Sequence, residues 1–199
     1  MEKSKIMITV LTPVMDRLGR KIESLMLRRD SYLNNILKSE IDCLEAEITN
    51  SNSEQARVYL LSQLKAMPTK SISITLDKRL IERIDTVCKK INVARDCWIN
   101  RVLFFLAAEG QQLKAIGIEA PPHEALSTNP LDAASDLISN PFHDYRVWME
   151  KQEIKFYEWP FPKQLVGMRC CIDEQEVPGS SEYVDLLEAL GVTKATEGA

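Results

Sequence analysis

Glycine is scarce, with 7 in 199 residues, and none stands in the G-x-x-x-x-G-K-S/T spacing that cradles nucleotide phosphates. The G-x-S-x-G turn and the H-E-x-x-H pair are missing as well, and Ser180, Ser181 and His143 alone make no nucleophile–base constellation. No enzymatic role and no cofactor is therefore expected. Histidine is limited to His123 and His143, too far apart in the chain to suggest a zinc site. The five cysteines show no C-x-x-C spacing. Cys43, Cys88 and Cys97 fall inside helical patterns, where cysteine behaves as a small hydrophobe, so all five are expected to be reduced and structural. No apolar run approaches the ~18 residues of a membrane-spanning helix. The chain opens on Met1-Glu2-Lys3-Ser4-Lys5 and enters a strand-like segment rather than the apolar core of a signal peptide. The expected compartment is the cytoplasm, without a membrane partner.

What is present is a large apolar fraction, 45%, enough for a core in one large domain or two small ones. The net charge of −4 is unevenly divided: residues 1–108 carry 18 Lys/Arg against 13 Asp/Glu, and residues 109–199 carry 7 against 16. A mildly basic half joined to an acidic half suits a nucleic-acid binder with an appended second function.

An internal repeat organises the basic half. Sliding the chain by 66 residues lays 6–37 over 72–103 without a gap. Ile6, Ile8, Thr9, Arg17, Arg29, Asp30, Asn34 and Leu37 meet Ile72, Ile74, Thr75, Arg83, Arg95, Asp96, Asn100 and Leu103, eight identities in 32 positions, where chance gives about two. Tyr32 meets Trp98, Leu33 meets Ile99 and Ile36 meets Val102. Each copy begins with strict alternation, in Lys5-Ile6-Met7-Ile8-Thr9-Val10 and Ser71-Ile72-Ser73-Ile74-Thr75-Leu76, the period of a half-buried strand. Thr12-Pro13 and Asp77 supply helix starts. The helices that follow align Val14, Leu18, Ile22 and Leu25 in one copy, and Leu80, Ile84, Cys88 and Ile91 in the other. After a short break a second amphipathic helix begins near Arg29 or Arg95, carrying Leu33, Ile36, Leu37 and Ile41, or Ile99, Val102, Leu103 and Leu106. Between the copies, residues 54–67 read as an extra helix, with Tyr59, Leu60 and Leu64 available for packing, stopped by Pro68.

Strand, helix, break and helix over about 40 residues, twice in order, resembles the ribbon-helix-helix family of DNA-binding proteins, the Arc/MetJ/CopG group. Ser71-Ile72-Ser73-Ile74-Thr75-Leu76-Asp77 looks like the family's strand. Val93-Ala94-Arg95-Asp96-Cys97-Trp98-Ile99-Asn100 looks like its second-helix start, repeated in Arg28-Arg29-Asp30-Ser31-Tyr32-Leu33-Asn34. The resemblance covers residues 4–107 and implies a mainly α fold with a two-stranded antiparallel β-ribbon. Two tandem units would form a pseudo-dimer, with a small α+β region at the C-terminal end. A single unit of this size buries too little surface to stand alone. Covalent linkage would remove the concentration dependence of pairing, although pairing between two chains, and a homo-oligomer on DNA, remain open.

In such a ribbon Ile6, Ile8, Val10, Ile72, Ile74 and Leu76 face the core. The opposite face, Lys5, Met7, Thr9, Ser71, Ser73 and Thr75, would read base edges in the major groove, unless it is simply a solvated strand face. Lys5 could donate to guanine and Met7 could touch a thymine methyl. Arg29, Arg95 and Lys70 are the candidate phosphate contacts, with local ion pairs to Asp30 and Asp96 as the other reading of the two arginines. The family's usual Ser or Thr helix cap is replaced by Arg28 and Ala94. Tyr32 and Trp98 are read as packing residues.

The resulting organisation is a first unit at 1–50, a linker with its extra helix at 51–69, a second unit at 70–115 and an acidic region at 116–199. In that region the second unit's last helix is expected to run on through Glu109 to Lys114. Ala120-Pro121-Pro122 and Asn129-Pro130 mark a linker, and 131–138 form a short helix. Residues 153–159 and 165–172 form two strands, and 182–190 an acidic helix, before a frayed end. Phe142, Tyr145, Trp148, Phe156, Tyr157, Trp159 and Phe161 either anchor a protein interface or fill a small core. Three functions compete. The first is an autoregulatory, antitoxin-like transcriptional repressor whose acidic region holds a toxin or other protein. The second is an accessory DNA-binding protein of plasmid conjugation or partition, and the third an interaction module that uses the fold only to dimerise.

Overall fold

The alternating segments at the two ends of the repeat find each other. In the computed structural model, which describes residues 2–118 and 140–189, they form a two-stranded antiparallel sheet in an otherwise helical chain. Strand β1 (Lys3–Leu11) leads into α1 (Thr12–Ser24) and α2 (Arg29–Glu47). After α3 (Glu54–Ala66) the pattern returns as β2 (Thr69–Asp77), α4 (Lys78–Lys90) and α5 (Arg95–Ala107). Then come α6 (Gly110–Ala115), α7 (His143–Glu150), 3-10 turns at Phe156–Glu158, Lys163–Met168 and Glu174–Glu176, and α8 (Ser181–Ala189). The linker expected at 120–122 and 129–130, the helix expected at 131–138 and the chain end lie outside the described residues.

Strands β1 and β2 pair within the chain in a register centred on Met7 opposite Ser73, flanked by Ile6 opposite Ile74 and Ile8 opposite Ile72. Met7 and Ser73 are 66 residues apart, so exchanging the two copies of the repeat maps the register onto itself. The ladder continues past both strand ends: Thr12 N–H donates to the Pro68 carbonyl at 2.9 Å, and Lys78 N–H to the Glu2 carbonyl at 3.0 Å. These bonds correct the expected helix capping. Thr12 is already the first residue of α1, behind a Leu11 N-cap. Asp77 is the N-cap of α4, but neither cap side chain bonds the helix. The strand ladder takes up an N–H that a cap would otherwise have to satisfy.

Both first helices end alike. Met26 (φ 54°) and Asn92 (φ 50°) adopt the left-handed conformation. Leu27 N–H then reaches back to the Ile22 carbonyl and Val93 N–H to the Cys88 carbonyl, a closed helix terminus. The reversal sends α2 against β2 and α5 against β1, so each second helix packs on the strand of the other copy. There the repeated Asp and Asn act. Asp96 accepts Thr9 N–H at 3.0 Å, and Asn100 accepts Leu11 N–H at 2.8 Å while donating to the Thr9 and Asp96 carbonyls. Across the ribbon, Asp30 accepts Thr75 N–H at 2.9 Å, and Asn34 accepts Asp77 N–H at 2.8 Å while donating to the Asp77 carboxylate. Both outer edges of the ribbon are thus closed by side chains rather than by further strands, which removes the exposed-edge liability.

One hydrophobic core runs from Ile8, Val10, Ile74 and Leu76 through α1–α5 into Phe142, Tyr145, Phe156, Tyr157 and Phe161. The aromatic set at the C-terminal end is therefore core, with Trp148 partly buried against it. Residues 140–189 hold no strand, contrary to expectation. Phe156 and Tyr157 are adjacent and both buried, whereas a strand would send them to opposite faces. They sit on a 3-10 turn, and the Phe156 and Trp159 carbonyls accept hydrogen bonds from the Arg101 guanidinium instead of a neighbouring strand. Residues 165–168 likewise belong to a 3-10 turn, which lies directly on the α3 backbone. A Cβ at Gly167 would collide with Leu64. Helix α5 also stops at Ala107 instead of running on to Lys114, and α6 restarts behind a reciprocal Glu109–Gln112 capping box.

Two arginines tie this region down. Arg101 is fully buried, donates to Trp159 O at 3.0 Å and stacks 4.9 Å from the Phe161 ring centroid. Arg146 makes a two-pronged pair with buried Glu40 (2.8 and 3.2 Å) and reaches Glu47 at 3.1 Å. The Tyr157 hydroxyl donates to Glu40 at 2.5 Å, and burial pushes that phenol well above its ordinary pKa.

Asn100→Ala strands two buried backbone groups and should cost about 3 kcal/mol in urea unfolding. Asn34→Ala, at the half-buried equivalent, should cost about 1 kcal/mol; equal losses would contradict the exchanged hydrogen bonds. Arg146→Met leaves Glu40 buried without its cation and should cost about 3 kcal/mol, part of which returns when Glu40→Met is added. A double variant no more stable than Arg146→Met alone would count against the buried pair.

Candidate nucleic-acid interface

The period of two along each strand decides which side chains face outward. Ile8, Val10, Ile74 and Leu76 are buried, and Ile6 and Ile72 are partly buried against the core. The six residues expected on the opposite face come together as three cross-strand pairs: Lys5 with Thr75, Met7 with Ser73, and Thr9 with Ser71. Lys5, Met7, Ser71 and Ser73 are exposed, while Thr9 and Thr75 are half-buried beneath the helix starts. Met7, at the centre, keeps 59% of its surface exposed, unusual for a large apolar side chain in the middle of a sheet face. Lys3, opposite Asp77, shares this face and was missed in the sequence. The same alternation that picked out Lys5 reaches it two residues earlier.

Arg29 and Arg95 flank the central pair from either edge. Arg29 donates to the Ser73 carbonyl at 3.0 Å and pairs with Asp30 at 2.8 Å. Arg95 donates to the Met7 carbonyl at 3.2 Å and pairs with Asp96 at 3.4 Å and Asp85 at 3.5 Å. The local ion pairs weighed from the sequence are formed, yet the guanidinium side chains remain 41% and 33% exposed, beside the outward face. Partial burial pushes the Asp30 carboxyl upward, but the Arg29 guanidinium and the Thr75 N–H outweigh it and hold the group below its ordinary value of 3.8. The starts of α2 and α5 have Arg28 and Ala94 as N-caps, neither with a side-chain cap bond. Their first N–H groups are left without the usual hydroxyl or carboxylate acceptor of their own cap.

Lys70 does not join this face. It pairs across the ribbon with Val10, on the core-side parity, and its ammonium sits 2.5 Å from Asp16. Tyr32 and Trp98 are buried packing residues, as read from the sequence. What the sequence reading left unassigned is the work of Asp30, Asp96, Asn34 and Asn100. The signal was there, since all four are identities of the repeat, but the acceptors and donors they meet lie more than 40 residues away.

Among the described residues no cluster of three His, Cys, Asp or Glu side chains could hold a metal ion. The five cysteines are free. Burial pushes the Cys88 and Cys97 thiols up to about 12, which makes both inert at neutral pH.

A depressed carboxyl stabilises the fold above its unfolded pKa and loses that contribution as pH falls through the folded value. The Thr75 amide resonance should therefore titrate with Asp30 at a midpoint below 3.8, and Arg29→Met should move the midpoint upward. A wild-type midpoint above the ordinary value would exclude the clamp. No protein-family model, curated protein or solved structure matches this chain.

Proposed function

We propose that residues 3–107 are two ribbon-helix-helix units joined as a pseudo-dimer in one chain, and that their shared ribbon binds duplex DNA sequence-specifically through the major groove. The observation that carries this reading is the convergence of Lys5, Met7, Thr9, Ser71, Ser73 and Thr75 on one outward ribbon face, between Arg29 and Arg95 on its two edges. A two-stranded ribbon is of a size that enters the major groove. The face holds donors, acceptors and one apolar contact, the chemistry of base edges. The flanking guanidinium groups and the α2 and α5 starts suit phosphates on both sides.

The regulatory role follows from the resemblance: a transcriptional repressor of the antitoxin-like, autoregulatory kind, whose acidic region holds a protein partner. The 59% exposure of Met7 at the ribbon centre favours a second reading, in which the same face docks a protein rather than DNA.

Introducing Met7→Glu together with Ser73→Glu places two carboxylates on an exposed face and should leave the thermal midpoint unchanged. It should weaken binding to the chain's own upstream duplex by about 100-fold, because like charges then meet in the groove. With about four phosphate contacts, log K of the wild type should fall against log salt with a slope near about −3.6. Undiminished duplex binding by the double variant, or salt-independent binding by the wild type, would refute the DNA reading.

A further inference from the structure

Resting on the DNA-binding role above, we propose that the duplex bound by one chain is non-palindromic, with a guanine demanded on one side of the ribbon's centre only, so that the chain lies on its site in a single direction. The geometry sets a symmetric frame against an asymmetric face. Exchanging residues 66 apart maps the strand register, the Asp–Asn edge bonds and the arginine contacts onto themselves: Arg29 to the Ser73 carbonyl and Arg95 to the Met7 carbonyl, Asp30 to Thr75 N–H and Asp96 to Thr9 N–H. The groups suited to phosphates are therefore disposed alike on the two halves.

The outward side chains obey that exchange at one position and break it at the others. Thr9 and Thr75 are equivalent and identical. Lys5 is equivalent to Ser71, Met7 to Ser73, and Lys3 to Thr69. One half of the ribbon thus presents Lys5 beside Thr75, with Lys3 beyond; the other presents Ser71 beside Thr9. Lys5 and Ser71 are four residues apart along the ribbon, about 14 Å at strand rise, a span that places them over different base pairs.

Lys5 is exposed and has no ion-pair partner among the described residues. An ammonium offers three donors and no acceptor, and in the major groove the purine edge with two adjacent acceptors is guanine, through O6 and N7. The Ser71 hydroxyl donates or accepts and makes no such demand. Thr9 and Thr75 set like preferences in both halves, and the lysine adds one preference on one side. A one-way seating also gives the acidic region, which packs on α2 through Arg146 and on α5 through Arg101, a defined direction along the DNA.

The test is enrichment of duplexes from a randomised library by the full chain, followed by affinity measurements on the enriched sequence. The wild type should select a motif with related flanks and guanine at one of two centre-related positions, preferred by about tenfold over its replacement. Lys5→Ser should erase that preference and make the halves more alike. Ser71→Lys should add a guanine at the second position and tighten binding to the resulting near-palindrome by about tenfold. A palindromic wild-type motif, or a guanine preference that survives Lys5→Ser, would overturn the proposal while leaving DNA binding intact. Failure to enrich any sequence would instead overturn the DNA-binding reading, and this proposal with it.

Discussion

A two-stranded ribbon leaves two rows of backbone groups unpaired, and the way this chain closes those rows governs the rest of its architecture. Asp96 and Asn100 of α5 bond the outer edge of β1, and Asp30 and Asn34 of α2 bond the outer edge of β2. Because each helix serves the strand of the other copy, neither copy can satisfy its own edge, and the two halves fold as one unit. The arrangement also fixes rotation about the strands. With Thr9 and Thr75 amides held from the helix side, the alternation turns Ile8, Val10, Ile74 and Leu76 inward and Lys5, Met7 and Ser73 outward. A one-residue slip would reverse every side chain and break four buried or half-buried hydrogen bonds at once.

The second constraint is a pair of buried cations. Arg101 has no carboxylate partner, its Nε finds no acceptor among the described residues, and burial lowers its pKa. Taking a guanidinium out of water costs several kcal/mol. The cost is offset by the Phe156 and Trp159 carbonyls and by the faces of Phe105, Phe156 and Phe161. Those carbonyls belong to turns that would otherwise be buried with unmet acceptors, so cation and turns satisfy each other. Arg146 plays the parallel part on α2 with Glu40 and Glu47. Here the balance is charge against charge, and Tyr157 fills the remaining position on Glu40. The acidic region is thereby joined to the C-terminal parts of α2 and α5, while the N-termini of the same helices meet the ribbon. The outward ribbon face carries no part of this packing.

Much of this was legible residue by residue. The strands, the paired amphipathic helices, α3 and its stop at Pro68 follow from period and punctuation, and the gapless repeat predicted that the two halves would be alike. Burial of Tyr32 and Trp98 and the outward grouping of the three strand pairs also follow from pattern. The misreadings share one cause. Residues 153–159 and 165–172 are rich in aromatic and apolar residues without a strand's alternation, and local composition cannot distinguish a strand from a turn whose carbonyls a distant arginine accepts. Lys70 was grouped with the outward cations by charge, although its parity, with Val10 opposite, places it beside Asp16. The Ala107 break before α6 depended on the Glu109–Gln112 capping box, a reciprocal bond invisible to hydrophobic periodicity.

The sequence by itself determined the elements and the face each would bury, because strand and helix periods are properties of neighbouring residues and survive without knowledge of the fold. It also determined that Lys5 and Ser71 differ while Thr9 and Thr75 agree, so the asymmetry of the outward face is written in the chain. Only the tertiary structure decided that Asp30, Asn34, Asp96 and Asn100 close the strands of the opposite copy. Only it decided that Arg29 and Arg95 stand at the ribbon's centre, and that Arg101 and Arg146 carry the acidic region on the same core. Each of those roles depends on a donor and an acceptor separated by about half the chain or more in most cases, and no local pattern records which distant backbone group will be left in need of a partner.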